Sequence, residues 1–486
     1  MSQTVNSARN ITLVMDFYEL TMSYNYFKQG KIDEVVYFDM FYRRNPDNGG
    51  YVLFAGLQQL IEAVKDMHFS DGDIDYLRSL NVFDEDFFDY LRNFKFEGTI
   101  WAIPEGTPVF PYEPLVTVRA KIIEAQMIET FLLVTVNHQS LIATKTARVV
   151  QEARGRAVME FGARRAQGYD GATYGARAAY IGGASGTATV SAGRMFGIPV
   201  LGTMAHSFVQ SFDTEYDAFK AYAEIYPDSC VLLVDTYDTL KSGIPNAIKV
   251  AYDVLIPQGK RLAGIRIDSG DISYLTKRAR AMLDARGLED CKISISNSLD
   301  EYLIRSVLEQ GAKIDSFGVG ENMITSKSSP VFGGVYKMAA VERDGKIIPK
   351  IKISENSEKI TNPGFKRVYR LIEVETMKAI ADIITFADET IDESQDLTIY
   401  SQFNKWKNKV LDGGTFKAIE LQKEVFVDGE CVYPEYTLKE IRDHVEAQKK
   451  LMWDEIYRLE YPHEYYVDLS ERLIDYKVKM LEEKRH

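Results

Sequence analysis

Cysteine is scarce: only Cys230, Cys291 and Cys431 occur among 486 residues. They lie far apart and form no Cys-x-x-Cys pair, which excludes a metal knuckle, a dithiol redox centre and a framework of disulfides. A reducing compartment fits this usage. Long apolar runs are also missing, and none approaches the ~18 residues of a membrane span. Residues 1–10 are polar and lack the basic-then-apolar order of a signal peptide, so the expected setting is cytoplasmic and soluble. Positive charge is in deficit, with 58 Lys and Arg against 71 Asp and Glu and a formal net charge of −13. A body of that sign lacks the diffuse positive field that nucleic acid or an anionic membrane requires, and neither is expected as a partner. Any anionic ligand must then be held by a local basic pocket.

Hydrophobic residues at 45% and charged residues at 27% match ordinary soluble proteins, which excludes wholesale disorder, collagen-like repeats and coiled coil. At roughly 100 to 200 residues per domain, the length allows two to four domains. Residues 1–136 mix helices and strands without a steady rhythm. Helical spacing covers Leu13 to Phe27, a strand is expected over Glu34 to Phe41, and a helix lies around Ala55 to Asp66. Two acidic helices follow between Asp71 and Asn93, and then a β-rich stretch from Gly98 to Arg119 with Pro-rich turns. This predicts a small α+β domain.

Residues 137–336 have a different texture. Apolar runs at Pro199 to Gly202, Val231 to Val234, Leu262 to Ile267, Ile293 to Ile295 and Ile314 to Val319 each precede polar or Gly-rich residues. Amphipathic stretches lie between them, as in Ile272, Leu275, Ala279 and Leu283. Strands apolar on both faces that alternate with helices mean a parallel sheet covered by helices. A repeat of about 20 to 35 residues favours a (β/α) barrel over an open sheet. In residues 337–486 the rhythm stops. Strands and turns are expected from Lys337 to Val374, able to complete the first domain, and a charged helical extension from Phe416 to His486.

In a (β/α) barrel the residues beyond the strand C-termini converge on one mouth. Here they are Arg164 and Arg165, Gly186-Thr187-Ala188-Thr189, His206, Asp235, Arg266 with Asp268, Ser296-Asn297 and Gly318-Val319-Gly320. Gly and Ser turns present backbone N–H groups to phosphate, and Arg adds a planar fork. Asp can hold ribose hydroxyls or the water shell of magnesium. Taken singly, each has a plainer reading: a tight turn at Gly318, an ion pair at Arg165, a hydrogen-bonded structural histidine at His206. Arg266 and Asp268 have a better case, because they alternate with Ile265 and Ile267 and so share one face of a strand.

Four ordered segments resemble the nicotinate phosphoribosyltransferase family: Leu13-Val14-Met15-Asp16-Phe17-Tyr18-Glu19-Leu20-Thr21-Met22, Glu160-Phe161-Gly162-Ala163-Arg164-Arg165, Gly202-Thr203-Met204-Ala205-His206-Ser207 and Ile265-Arg266-Ile267-Asp268-Ser269-Gly270-Asp271. Phe332-Gly333-Gly334-Val335-Tyr336-Lys337 closes the series. The resemblance implies an irregular (β/α) barrel of the type II phosphoribosyltransferase kind. It implies formation of nicotinate mononucleotide and pyrophosphate from nicotinate and phosphoribosyl pyrophosphate, with Mg2+ and with ATP as co-substrate.

By the same resemblance, Tyr18, with Asp16, is contributed across a homodimer interface and sandwiches the pyridine ring with Phe161. Arg266 pairs with the nicotinate carboxylate or a phosphate, and Arg164 holds the donor. Asp268 binds ribose or magnesium, and Asp235 and Asp268 are the candidates for holding the metal through water. Ser296, Asn297, Gly318 and Gly320 line the ribose and 5′-phosphate, and His206 accepts a phosphoryl group from ATP. The related nicotinamide-specific enzyme carries Asp in the Gly-Thr-x-Thr turn, where this chain has Ala188 after Thr187, which favours the acid. The alternatives are that nicotinamide enzyme and a non-catalytic nucleotide-binding barrel. A Schiff-base aldolase would need a Lys at a strand end, and none of these strand ends offers one.

Overall fold

The computed structural model describes residues 10–483. They divide into two compact units, one formed by residues 10–141 with 331–483 and the other by residues 142–330.

The first unit holds a seven-stranded antiparallel sheet. Its order is Lys346–Pro349, Val335–Arg343, Val35–Phe41, Val116–Lys121, Thr99–Ala102, Lys423–Val427 and Glu430–Cys431. The central strand Val35–Phe41 is buried from Val36 onward. Its Val36, Phe38 and Met40 share one core with Leu57 and Leu60 of helix Leu57–Asp66 and with Phe87, Phe88 and Leu91 of helix Glu85–Arg92. A six-stranded sheet built from Lys366–Glu373, Ala379–Phe386, Leu397–Ser401, Asn404–Leu411, Phe416–Glu420 and Val467–Leu469 completes the unit.

The helical reading of residues 416–486 needs correction. Residues 416–431 are strands, and helices begin only at Leu438–Leu451 and Glu471–Glu483. The charge of this stretch masks its period: Phe416–Glu420 alternates between inward and outward side chains, and Lys423–Val427 ends in Val-Phe-Val, which favours a pleated surface.

The second unit carries a six-stranded parallel sheet in the order Gly186–Thr187, Ala157–Glu160, Ser316–Val319, Lys292–Ser296, Gly264–Ile267 and Val231–Leu233. The last strand of this unit therefore pairs with the unit's first, from Ser316 opposite Ala157 to Val319 opposite Glu160. Pairing of last with first is what closing a barrel wall requires. The expected strand Pro199 to Gly202 is reduced to a single parallel bridge from Val200 to Thr187, and the seam of the wall lies between it and Val231–Leu233. Helices start at once after the strands: Asp271 caps Ile272–Asp284 by accepting the Tyr274 amide at 2.9 Å, and Asp300 caps Glu301–Glu309 by accepting that of Leu303 at 2.7 Å. Such immediate starts leave only short turns at the strand ends, which fixes the side chains that they carry.

Candidate active site

Arg266 is the hub of the mouth. Alternation along Gly264–Ile267 buries Ile265 and Ile267 on one side and turns the guanidinium toward the other. Its Nε donates to Ser296 Oγ at 2.7 Å and its Nη2 to Asp268 Oδ1 at 3.1 Å. Nη1 reaches Thr203 Oγ1 and the Met204 carbonyl, each at 3.3 Å. The Ser296 hydroxyl in turn donates to Asp268 Oδ1. The guanidinium carbon stands 5.7 Å from the centroid of the Phe161 ring. A cation, its counter-charge and an aromatic face are thereby locked together at the ends of three strands.

The second carboxylate, Asp235, has its side chain almost wholly buried. Its Oδ2 accepts the Asp268 amide at 2.9 Å and the Ser269 hydroxyl at 2.6 Å, while its Oδ1 has no hydrogen-bond partner. His206 opens the short helix His206–Gln210 after an extended Ala205. Its Nδ1 lies 3.1 Å from Thr236 Oγ1, and its Nε2 lies 3.8 Å from Asp268 Oδ2 and 4.0 Å from Asp235 Oδ1. Its side chain remains 40% exposed, so one imidazole meets two carboxylates and solvent together.

The remaining strand-end residues flank this centre. Phe161 is anchored by its amide to the Val319 carbonyl at 2.8 Å. Arg164 is exposed in the turn Ala163–Arg165 and makes no hydrogen bond or ion pair among the described residues, while Arg165 lies 3.7 Å from Glu321. Thr187 is fully buried, Ala188 is exposed, and the Ala188 amide donates to the Glu160 carbonyl at 2.9 Å. Asn297 and Ser298 adopt φ of 147° and 40°, a region that residues other than glycine rarely visit. Asn322 braces that turn by donating to the Ser298 carbonyl at 2.8 Å and the Leu299 carbonyl at 3.2 Å. Gly320 begins the turn Glu321–Ile324.

Asp16 and Tyr18 belong to the first unit. Asp16 sits at the N-cap of helix Phe17–Lys28, where the Glu19 carboxylate accepts its amide at 3.3 Å. Tyr18 lies in the first turn with 43% of its surface exposed. Thr236 and Asn322 escaped the sequence reading as site residues. Thr236 follows Asp235 directly at a strand end and could have been found there, whereas nothing in the sequence marks Asn322 as the brace of a strained turn.

Cavities of about 520 and 860 Å³ lie in the first unit, the smaller lined by residues including Tyr433, Tyr436 and His444 and the larger by residues including Arg43, Phe110 and Tyr465. Convergent chemistry at the strand ends is the better guide. Among the described residues no group of three or more His, Cys, Asp or Glu is arranged to hold a metal ion directly. No described helix is long and apolar enough to cross a membrane.

A parallel (β/α) wall with polar groups gathered at its strand C-termini is the architecture of barrel enzymes. Residues 13–137 match the nicotinate phosphoribosyltransferase N-terminal domain, residues 156–409 the nicotinate phosphoribosyltransferase family and residues 365–477 its C-terminal domain. The nicotinate phosphoribosyltransferase of Bacillus subtilis is 43% identical over 476 residues, covering 98% of this chain and 96% of that one. The human nicotinate phosphoribosyltransferase is 30% identical over 522 residues, covering 95% of both chains. The crystal structure of human nicotinic acid phosphoribosyltransferase superposes with a TM-score of 0.82 at 27% identity, covering 96% of this chain and all of that one. The chain belongs to the nicotinate phosphoribosyltransferase family.

Proposed function

We propose that this chain transfers the 5-phosphoribosyl group of phosphoribosyl pyrophosphate to nicotinate, in the salvage route to NAD. The ribose C1–O bond to pyrophosphate breaks as the bond from C1 to the pyridine nitrogen forms, so pyrophosphate and nicotinate mononucleotide leave. The observation that carries this reading is the Arg266–Ser296–Asp268 lock beneath the Phe161 ring. A flat ring bearing a carboxylate needs an aromatic face and a fixed cation, and this mouth offers both.

In this reading Phe161 and the Tyr18 of a second copy stack on the ring, with Asp16 setting the helix that presents Tyr18. Arg266 receives the carboxylate, and Ala188 leaves room for it where an Asp would repel it. Arg164, which has no hydrogen-bond or ion-pair partner among the described residues, takes the donor's phosphates. Asp268, Ser296, Asn297, Gly318 and Gly320 position the ribose and 5′-phosphate, while Thr187 belongs with Ala188 to the turn beside the pyridine ring. Holding both partners in line, and the departing anion against a cation, is the main work of such a site. Magnesium arrives with the pyrophosphate. The unpartnered Asp235 Oδ1 and the Asp268 carboxylate fit outer contacts to its waters, consistent with the absence of a protein cage among the described residues.

ATP is coupled through His206. The bond between the γ-phosphorus and ADP breaks as a P–N bond forms to the imidazole, and water later cleaves that bond to release phosphate. Added charge at this position would reorder the neighbouring turns, since His206 already touches Thr236 and faces both carboxylates. A homodimer with shared sites follows from the role given to Tyr18. A cytoplasmic setting suits three free thiols, two of them buried. The deciding experiment incubates the protein with phosphoribosyl pyrophosphate, magnesium and either nicotinate or nicotinamide, with and without ATP, and identifies the mononucleotide. Turnover of nicotinamide alone would overturn the assignment.

A further inference from the structure

Glu160 ends the first strand of the wall with its side chain fully buried. Its described partners are all neutral: the Gly162 amide on Oε1, and on Oε2 the hydroxyls of Thr187 at 2.5 Å and Thr189 at 3.4 Å. A carboxylate taken out of water without a cation is costly, and burial raises the pKa of this one. An apolar residue of similar size would avoid that cost and would serve the core equally well.

What offsets the cost is position. Oε1 fixes the turn that carries Phe161 and Arg164, while Oε2 fixes the turn that carries Ala188 on the neighbouring strand. The Glu160 carbonyl accepts the Ala188 amide at 2.9 Å, and Thr187 Oγ1 accepts the Thr189 amide at 2.9 Å. The two turns are thus tied side by side through one carboxylate. Gly162 is part of the device. A Cβ there would stand 2.5 Å from Ile324 Cβ and 2.9 Å from Glu160 Oε1, so only glycine brings its amide onto the carboxylate.

We propose that Glu160 is a positioning residue that clamps the Phe161 turn to the Ala188 turn and so sets the slot in which the pyridine ring and its carboxylate sit. This rests on the assignment of nicotinate to that slot. Glu160 touches no reacting atom and acts through the groups that do.

The test compares wild type with Glu160→Gln, which keeps size and removes charge, and with Thr187→Val, which keeps shape and removes the hydroxyl. Thr187→Ser is the rescue. Hydrogen exchange of backbone amides should accelerate in residues 160–167 and 186–190 of Glu160→Gln and in residues 186–190 of Thr187→Val, with the rest of the barrel unchanged, and return toward wild type in Thr187→Ser. KM for nicotinate should rise about tenfold in Thr187→Val, which frees the Ala188 turn alone, while KM for phosphoribosyl pyrophosphate changes much less; in Glu160→Gln both should rise, because that variant also frees the turn that carries Arg164. Unchanged exchange at 186–190, or in Thr187→Val a rise in both KM values by the same factor, would overturn the clamp. If Glu160→Gln does not fold, Thr187→Val against Thr187→Ser decides the question alone. A wild type unable to use nicotinate would instead strike the assigned function, and the exchange measurement would still decide whether the clamp exists.

Discussion

The Phe161 ring lies directly over Gly318: a Cβ on residue 318 would stand 2.5 Å from the ring's Cδ2 and 3.3 Å from Ser296 Cβ. The last and first strands of the wall meet at this point, and the missing side chain is what lets the ring lie against the strand. Gly318→Ala should tilt the ring away, at a cost of roughly 1–3 kcal/mol in stability from overpacking. KM for nicotinate should rise by about tenfold with the loss of the aromatic face. Steady-state kinetics and a thermal melt check both, and an Ala variant with wild-type KM would show that the ring is not a ligand platform.

Arg266 uses three nitrogens on four acceptors, and a lysine cannot reproduce that fork. Both Arg266→Ala and Arg266→Lys should therefore lose roughly 100-fold or more in kcat/KM for nicotinate, because the carboxylate loses its charge-assisted, bidentate partner. Residual turnover of nicotinamide should fall less, since the amide carries no charge to pair. Comparing the two substrates in each variant checks this, and equal losses on acid and amide would remove Arg266 from carboxylate recognition.

The parallel sheet was legible because its strands are apolar on both faces and alternate with helices. Arg266 and Asp268 were placed on one strand face by simple alternation, and the structure joins them at 3.1 Å. The strand at 199–202 was not legible as a lone bridge, since an apolar run does not reveal how many neighbours it pairs with. Residues 416–431 misled because Lys417, Glu420, Lys423, Glu424 and Asp428 fall mostly three or four residues apart, the spacing of one solvated helix face, although the segment folds as strands. The clamp at Glu160 lay outside what pattern can show: one acidic residue after an apolar pair says nothing about which amides and hydroxyls will fold over it.

Lys477, in the helix Glu471–Glu483, is buried and donates to Asn362 Oδ1 at 2.8 Å and to the Gln402 carbonyl at 3.2 Å. Burial, with a smaller push from Lys366, lowers its pKa to about 8. The unfolded chain therefore holds this proton to higher pH than the folded one does, so stability rises as pH climbs from about 8 toward the ordinary lysine value. The slope from one such proton is up to about 1.4 kcal/mol per pH unit. Lys477→Met should remove that slope from denaturant midpoints measured across this window. A variant whose midpoints track wild type at every pH would show that Lys477 titrates normally.

If Tyr18 completes the site of a second copy, chains lacking different halves should complement. Tyr18→Ala and Arg266→Ala are each expected to be nearly inactive alone. Mixed and allowed to exchange subunits, they should recover up to about a quarter of wild-type activity, because half of the dimers are mixed and each of those holds one intact site. Activity that stays at the level of the separate variants after verified exchange would mean that each site is built within one chain.

In the proposed function ATP coupling depends on His206, whose surroundings define the test. The imidazole faces two carboxylates through Nε2 and Thr236 through Nδ1, with enough exposure to meet a nucleotide. Phosphoryl transfer to it requires that cations offset the charge moved, a task that falls to the nucleotide's magnesium and the exposed Arg164. Incubation with γ-labelled ATP should give a label on His206 that is lost in acid and kept in base, as expected for a P–N bond, and that is discharged when nicotinate and phosphoribosyl pyrophosphate are added. His206→Asn should abolish the label and the stimulation by ATP. Transfer without ATP should survive in that variant at a reduced rate, because Arg266, Asp268 and Ser296 keep their mutual bonds without the imidazole. A label that persists in the Asn variant, or full stimulation by ATP without His206, would show that the phosphoryl group travels by another route.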